Sequence, residues 1–146
     1  MREKYDLVVF ADICCDLIFS GIERLPEPGE EIWADQMKIM AGGAFNVAAA
    51  ASRLNLKTGI PCIYGTDIMS SFIHAAAMEE GIDTSLFLHT RQPYLQASVV
   101  LNLGNDRSFV SYAAKEKEHE LGQHVENIVD EVPMEAAVFG MTDKED

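Results

Sequence analysis

Met40-Ala41-Gly42-Gly43-Ala44-Phe45-Asn46-Val47-Ala48-Ala49-Ala50-Ala51-Ser52-Arg53-Leu54-Asn55 runs two adjacent glycines into an alanine-rich segment. Two glycines let the backbone turn tightly and come close to a ligand with no Cβ in the way. The helix expected after them leaves the amide groups of its first turn unpaired. Their dipole favours oxygen-rich or anionic ligands at that end. Asn46 stands at this opening with both an amide donor and a carbonyl acceptor. Ala48 to Ala51 make a slim helix that can lie close against a sheet. Taken alone, a Gly-Gly pair is more often just a loop entering a core helix, and the neighbouring segments decide between the two.

Upstream, Leu7-Val8-Val9-Phe10 is a continuous apolar run, the pattern of a strand buried on both faces of a parallel sheet. Ala11-Asp12-Ile13-Cys14-Cys15-Asp16 follows at its carboxyl end, where ligands bind in open α/β sheets. Asp12 and Asp16 are therefore candidate site residues, with turn capping as the plainer alternative. Leu25-Pro26-Glu27-Pro28-Gly29-Glu30-Glu31 is a turn-rich break, and Ile32 to Met40 reads as extended. Trp33 is a lid-facing aromatic or a packed surface side chain. Downstream, Thr58 to Tyr64 reads as a second buried strand. Asp67 then caps an amphipathic helix of about Ser70 to Glu80, whose inner face is Phe72, Ile73, Ala76 and Ala77, with Gly81 as its stop. Leu86 to His89 reads as a short strand. Leu95 to Leu103 and Arg107 to Tyr112 are a hairpin around Gly104-Asn105-Asp106. Ala113 to Glu120 is a charged, solvated connection. Leu121, Val125, Ile128, Val129 and Val132 mark one helical face that ends at Pro133. Ala136 to Gly140 reads as a further buried strand.

The 146 residues suit one domain able to bury a core, and a hydrophobic content of 48% is that of an ordinary globular protein. No apolar run has the length of a membrane span. The polar start Met1-Arg2-Glu3-Lys4-Tyr5-Asp6 is unlike a signal peptide, so a cytoplasmic location is expected. Eleven basic against 24 acidic residues, a net charge of −13, argue against nucleic acid and anionic membranes as partners. Cys14, Cys15 and Cys62 have neither disulfide-framework nor metal-ligand spacing. They read as small, partly buried residues in a reducing compartment.

The glycine stretch and its neighbours resemble the ribokinase-like (PfkB) carbohydrate kinases. Gly42, Gly43, Ala44, Asn46 and Ala48 match that family's first signature, and Gly65 falls on its final glycine. Asn55 departs from the family's Gly or Ser, mildly, since Asn also tolerates a left-handed helix end. Leu25-Pro26-Glu27-Pro28-Gly29-Glu30, Gly65-Thr66-Asp67 and Gly81-Ile82-Asp83-Thr84 match further family segments. The resemblance runs from Leu7 to about Gly140 and covers only the first half of the family's length. It implies a three-layer α/β/α fold with a mostly parallel sheet, read here as residues 1–146 forming the sugar-binding, amino-terminal part. A small β-sheet lid at about 17–40 and 92–112 is implied within it, truncated before the ATP-binding half. It implies that Asp16 orders sugar hydroxyls beside Gly42, Gly43 and Asn46, with Asp12 as a lesser candidate and Gln96 or Ser98 reaching in from the lid. The implied partners are a small sugar or polyol and a second copy paired through the lid, so that a homodimer is expected.

The full-length family uses ATP and Mg²⁺, with a Gly-Ala-Gly-Asp turn whose Asp is the base and whose amides form an anion hole, and an Asn-x-x-Glu motif near the metal. The sequence contains no Gly-Ala-Gly-Asp. Asn127-Ile128-Val129-Asp130 has the second spacing, with Asp for Glu, inside an amphipathic segment. No Walker-type loop replaces them. The chain alone is therefore expected to have no catalytic residues and to bind neither ATP nor metal. Alternatives are a non-catalytic sugar-binding or dimerisation module and an inactive truncated product. Ribokinase, fructokinase, nucleoside kinase and 2-keto-3-deoxygluconate kinase members share these motifs. The last usually carries an aromatic-x-Arg pair on the second lid strand, which Ser111-Tyr112-Ala113-Ala114 lacks.

Overall fold

The computed structural model describes residues 4–114 and 118–140. Part of the polar start, part of the charged connection after Ala113 and the residues after Gly140 lie outside them. The core sheet is β1 (Tyr5–Phe10) flanked in parallel by β4 (Thr58–Gly59) and β9 (Met134–Phe139). Val9 faces one layer, built by α1 (Phe45–Arg53) and α2 (Ile68–Glu79), together with Phe45, Ala48, Ile73 and Ala77. Val8 and Phe10 face the other layer, built by α3 (Glu118–Glu131), against Ile128 and Val132. A strand with Val8 and Val9 both fully buried has no solvent face, which is why it reads as an unbroken apolar run. The fold is α/β, mostly parallel and three-layered.

Against this core stands a four-stranded sheet in the order β3-β2-β7-β8. It comprises β2 (Ile13–Ile22), β3 (Gln36–Gly43), β7 (Gln96–Leu103) and β8 (Asp106–Ala113). β2 runs antiparallel to β3 and parallel to β7, and β7 and β8 form the expected hairpin. Gly104 takes a φ of 56° at the first central position of its two-residue turn, where a type II′ hairpin places a glycine. Asn55, with a φ of 64°, ends α1 in the left-handed region.

Several elements differ from the sequence reading. Residues 13–16 are already strand, because β2 pairs with Gly43 from Ile13 onward. The extended piece before Gly42 pairs only from Gln36. Its preceding loop is instead held by the Arg24 guanidinium, which forks onto the Glu30 carboxylate at 2.7 and 2.5 Å. Thr58 to Tyr64 is buried, but it divides into β4 and β5 (Ile63–Tyr64), the latter paired with β6 (Leu88–His89). Pro61 lies in the gap, where it has no N–H to give a ladder. Trp33 is 83% exposed rather than packed, and Val129 is 49% exposed on the outer side of α3. β9 forms as expected, yet Phe139 is 62% exposed, because among the described residues β9 borders β1 on one side only.

Asp67 ties the start of α2 to the segment that enters β7. Its carboxylate accepts from the Ser70 amide at 2.9 Å, the Ser70 hydroxyl at 2.8 Å and the Tyr94 amide, just before β7, at 2.7 Å. Burial works to raise the Asp67 carboxyl, but the amide and hydroxyl bonds outweigh it and hold it below the usual aspartate value. Asp67→Ala removes a helix cap and strands the Tyr94 amide, so a loss of about 2–4 kcal/mol is expected by denaturant unfolding at pH 7. A carboxyl depressed in the folded state stabilises above its unfolded pKa and loses that contribution as pH falls through the folded one. The gap between the two proteins should therefore narrow below about pH 4.

Candidate functional site

The junction between the two sheets lies beyond the carboxyl end of β1. There Asp12 bridges β1 to β2, and its carbonyl accepts the Ala44 amide at 3.0 Å. Gly43 is in the left-handed region at a φ of 64°, and a Cβ there would stand 2.6 Å from that same carbonyl. Any other residue would meet both penalties. Gly42, which is buried, must lack a side chain for a different reason. A Cβ on it would overlap the carboxylate of Asp16, and Oδ2 most closely. Asp16 therefore leans into the space the missing side chain leaves open.

α1 starts directly after this turn, with Ala44 at its N-cap and no side-chain cap. Asn46 is exposed in the first turn, and its amide nitrogen reaches the Gly43 carbonyl at 3.4 Å. Asp16, Gly42, Gly43 and Asn46 thus meet around one strand-to-helix turn. Asp12 adds its backbone, while its exposed side chain borders a cavity of about 340 Å³ with Phe10, Pro61, Leu121 and Val125. Gln96 opens β7 and lines a narrow cleft with Ile13, Ile73 and Tyr94.

The sequence reading missed Cys14. Its thiol lies 3.0 Å from Asp16 Oδ1 and 3.9 Å from the Ser98 hydroxyl, which in turn is 2.8 Å from the Ser111 hydroxyl. Burial first, then the bond to Asp16 and its negative charge, push the Cys14 thiol up to about 12. Cys62 is raised by burial alone. The signal was the i, i+2 spacing of Cys14 and Asp16, which counts only once both are placed on a strand.

Asn127 does not approach this turn. It borders a cavity of about 600 Å³ with Tyr5, Lys57, Asp83 and His124, beside the amino end of β1. Among the described residues, no three His, Cys, Asp or Glu side chains are grouped as metal ligands.

No family model matches the chain, and no curated protein matches it. Solved structures do. An Arabidopsis thaliana ribokinase complexed with ribose and ATP superposes with a TM-score of 0.64 at 22% identity, over 84% of this chain and 43% of that one. The fold is ribokinase-like. A Thermotoga maritima ribokinase gives a TM-score of 0.65 at 17% identity, over 80% of this chain and 40% of its own. A Methanocaldococcus jannaschii nucleoside kinase of the ribokinase family gives 0.65 at 18%, over 79% and 40%. The chain spans less than half the length of each of these ribokinase-like structures. No helix among the described residues is long and apolar enough to cross a membrane.

The overlap at Gly42 yields a double-mutant test. Gly42→Ala should cost about 2 kcal/mol or more in thermal or denaturant unfolding, because the new methyl displaces a carboxylate from a packed site. In an Asp16→Ala background the same change should cost about 1 kcal/mol less, since contacting residues couple by roughly 0.5–3 kcal/mol. Additive costs would mean that the two groups do not compete for one volume.

Proposed function

We propose that this chain is the sugar-binding portion of an ATP-dependent carbohydrate kinase. The observation that carries the reading is the Asp16 carboxylate seated over Gly42, beside the Gly43 turn and the amino end of α1. A carboxylate oxygen accepts from a ligand hydroxyl, and unpaired amides at a helix start accommodate oxygen atoms alongside it. The ribokinase-like fold supports a kinase relationship. ATP and Mg²⁺ enter only as the co-reactants that the family resemblance implies, and no described residue is assigned to them.

Calorimetry with D-ribose and D-fructose tests the reading. Asp16→Ala should weaken binding by roughly 1.5–3 kcal/mol, the scale of a hydrogen bond to a charged group. Asn46→Ala should weaken it by about 1 kcal/mol. Equal affinity in both variants and the wild type would remove the site assignment. The chain by itself, given ATP, Mg²⁺ and these sugars, should release no ADP above background.

A second observation supports self-association. On the face of the four-stranded sheet away from Asp16, register lines up Ile39, Leu17, Val99 and Val110 in one row and Met37, Phe19 and Leu101 in the next. Val110 is 69% and Tyr112 60% exposed, and Trp33 borders the adjoining groove of about 350 Å³. A surface this apolar at the edge of a sheet favours burial against another protein surface. We assign that partner as a second copy of the chain. Sedimentation at tens of micromolar should show a dimer (roughly the range of weak homodimers), and Val110→Asp should yield monomer. A monomeric wild type would count against the pairing.

A further inference from the structure

On the Asp16 face of the same sheet, side chains form a hydrogen-bonded file across three strands. Ser111 of β8 stands opposite Ser98 of β7, and Ser98 stands opposite Asp16 of β2. Cys14 shares their face because side chains alternate along a strand. A carboxylate only accepts, so the Cys14 S–H donates to Oδ1 across 3.0 Å. With its own proton committed, the sulfur accepts from Ser98 at 3.9 Å. The Ser98 oxygen in turn accepts from Ser111 at 2.8 Å. Every proton in the file is directed toward Asp16. The raised thiol keeps this proton at neutral pH, so the donor is present under working conditions. The other oxygen, Oδ2, overhangs Gly42 at the turn into α1.

We propose that Cys14 is a positioning residue for Asp16, its S–H holding Oδ1 and thereby presenting Oδ2 to one hydroxyl of an uncharged polyol. The role rests on the sugar-binding reading above. It deepens that reading by stating which oxygen the ligand meets and what orients it. The Ser98 and Ser111 oxygens retain accepting capacity beside it, so the strip as a whole suits hydroxyls that donate. An anionic substituent at that point would face the Asp16 charge. The bond also accounts for a half-buried thiol on a polar face, where an apolar residue of similar size would leave Oδ1 without this donor.

Two measurements test the role. In calorimetry with D-ribose and D-fructose, Cys14→Ala should bind three- to tenfold more weakly (about the range of one ordinary hydrogen bond). Cys14→Ser, which keeps a donor, should stay within about twofold of wild type. Ser98→Ala, which cuts the file one step further out, should fall between the two. Separately, iodoacetamide alkylation of Cys14 against pH, located by mass spectrometry, should show a lower midpoint in Asp16→Asn than in wild type. A merely structural thiol would show no such shift. Wild-type affinity in Cys14→Ala, or equal weakness in the Ala and Ser variants, overturns the positioning role. An unchanged alkylation midpoint overturns the contact itself. If the wild type binds neither sugar, the sugar-binding reading fails and this role with it, while the alkylation midpoint still reports on the Cys14–Asp16 contact.

Discussion

The Asp16 carboxylate lies where a side chain at position 42 would have to be, so β2 and β3 can close beside α1 only because Gly42 has none. The next residue faces an equally tight limit, since Gly43 bends through the left-handed region against the Asp12 carbonyl. Together these two contacts bring three chain segments to one point: the end of β1, the start of β2 and the first turn of α1. The polar groups assigned to ligand binding are gathered there as a consequence of how the chain turns. Loosening the turn would therefore disturb packing and site together.

The four-stranded sheet serves two purposes because its side chains alternate. One face carries Cys14, Asp16, Ser98 and Ser111, linked by hydrogen bonds across the strands. The other carries Leu17, Phe19, Ile39, Val99 and Val110, whose inner end continues into Cys15, Ala41 and Ala97 against the core. A shift of register by one residue would exchange the two faces. The Asp67 bonds to Ser70 and Tyr94 fix where the chain enters β7 and so help to set that register.

Much of this was legible in the sequence. Leu7 to Phe10 announces a strand with no solvent face, Gly104-Asn105 announces a hairpin, and Asp67 announces a helix cap. Each of these signals is local: it depends on hydrophobic period, turn geometry or an unpaired amide within a few residues. The match of the Gly42-Gly43 turn, Asn46 and Gly65 to the ribokinase-like pattern led to the fold that the solved structures share. The misplaced elements were those whose state depends on distant partners. Pro61 splits an apolar run between two different neighbours, and β9 remains largely exposed because, among the described residues, only β1 lies beside it.

The sequence by itself determined β1, the β7–β8 hairpin, the Asp67-capped α2, the tight turn at Gly43, the left-handed helix end at Asn55, and the candidates Asp16 and Asn46, because backbone sterics and side-chain chemistry act over short range. Only the tertiary structure decided that Asp16 sits within a strand, that its carboxylate fills the space above Gly42, and that Cys14 holds one of its oxygens. It also separated Asn127 from the turn by placing it beside the opposite end of β1. Which face a residue occupies depends on strand register, and which atoms share a volume depends on how segments far apart in sequence pack. Neither is encoded in any single stretch of the chain.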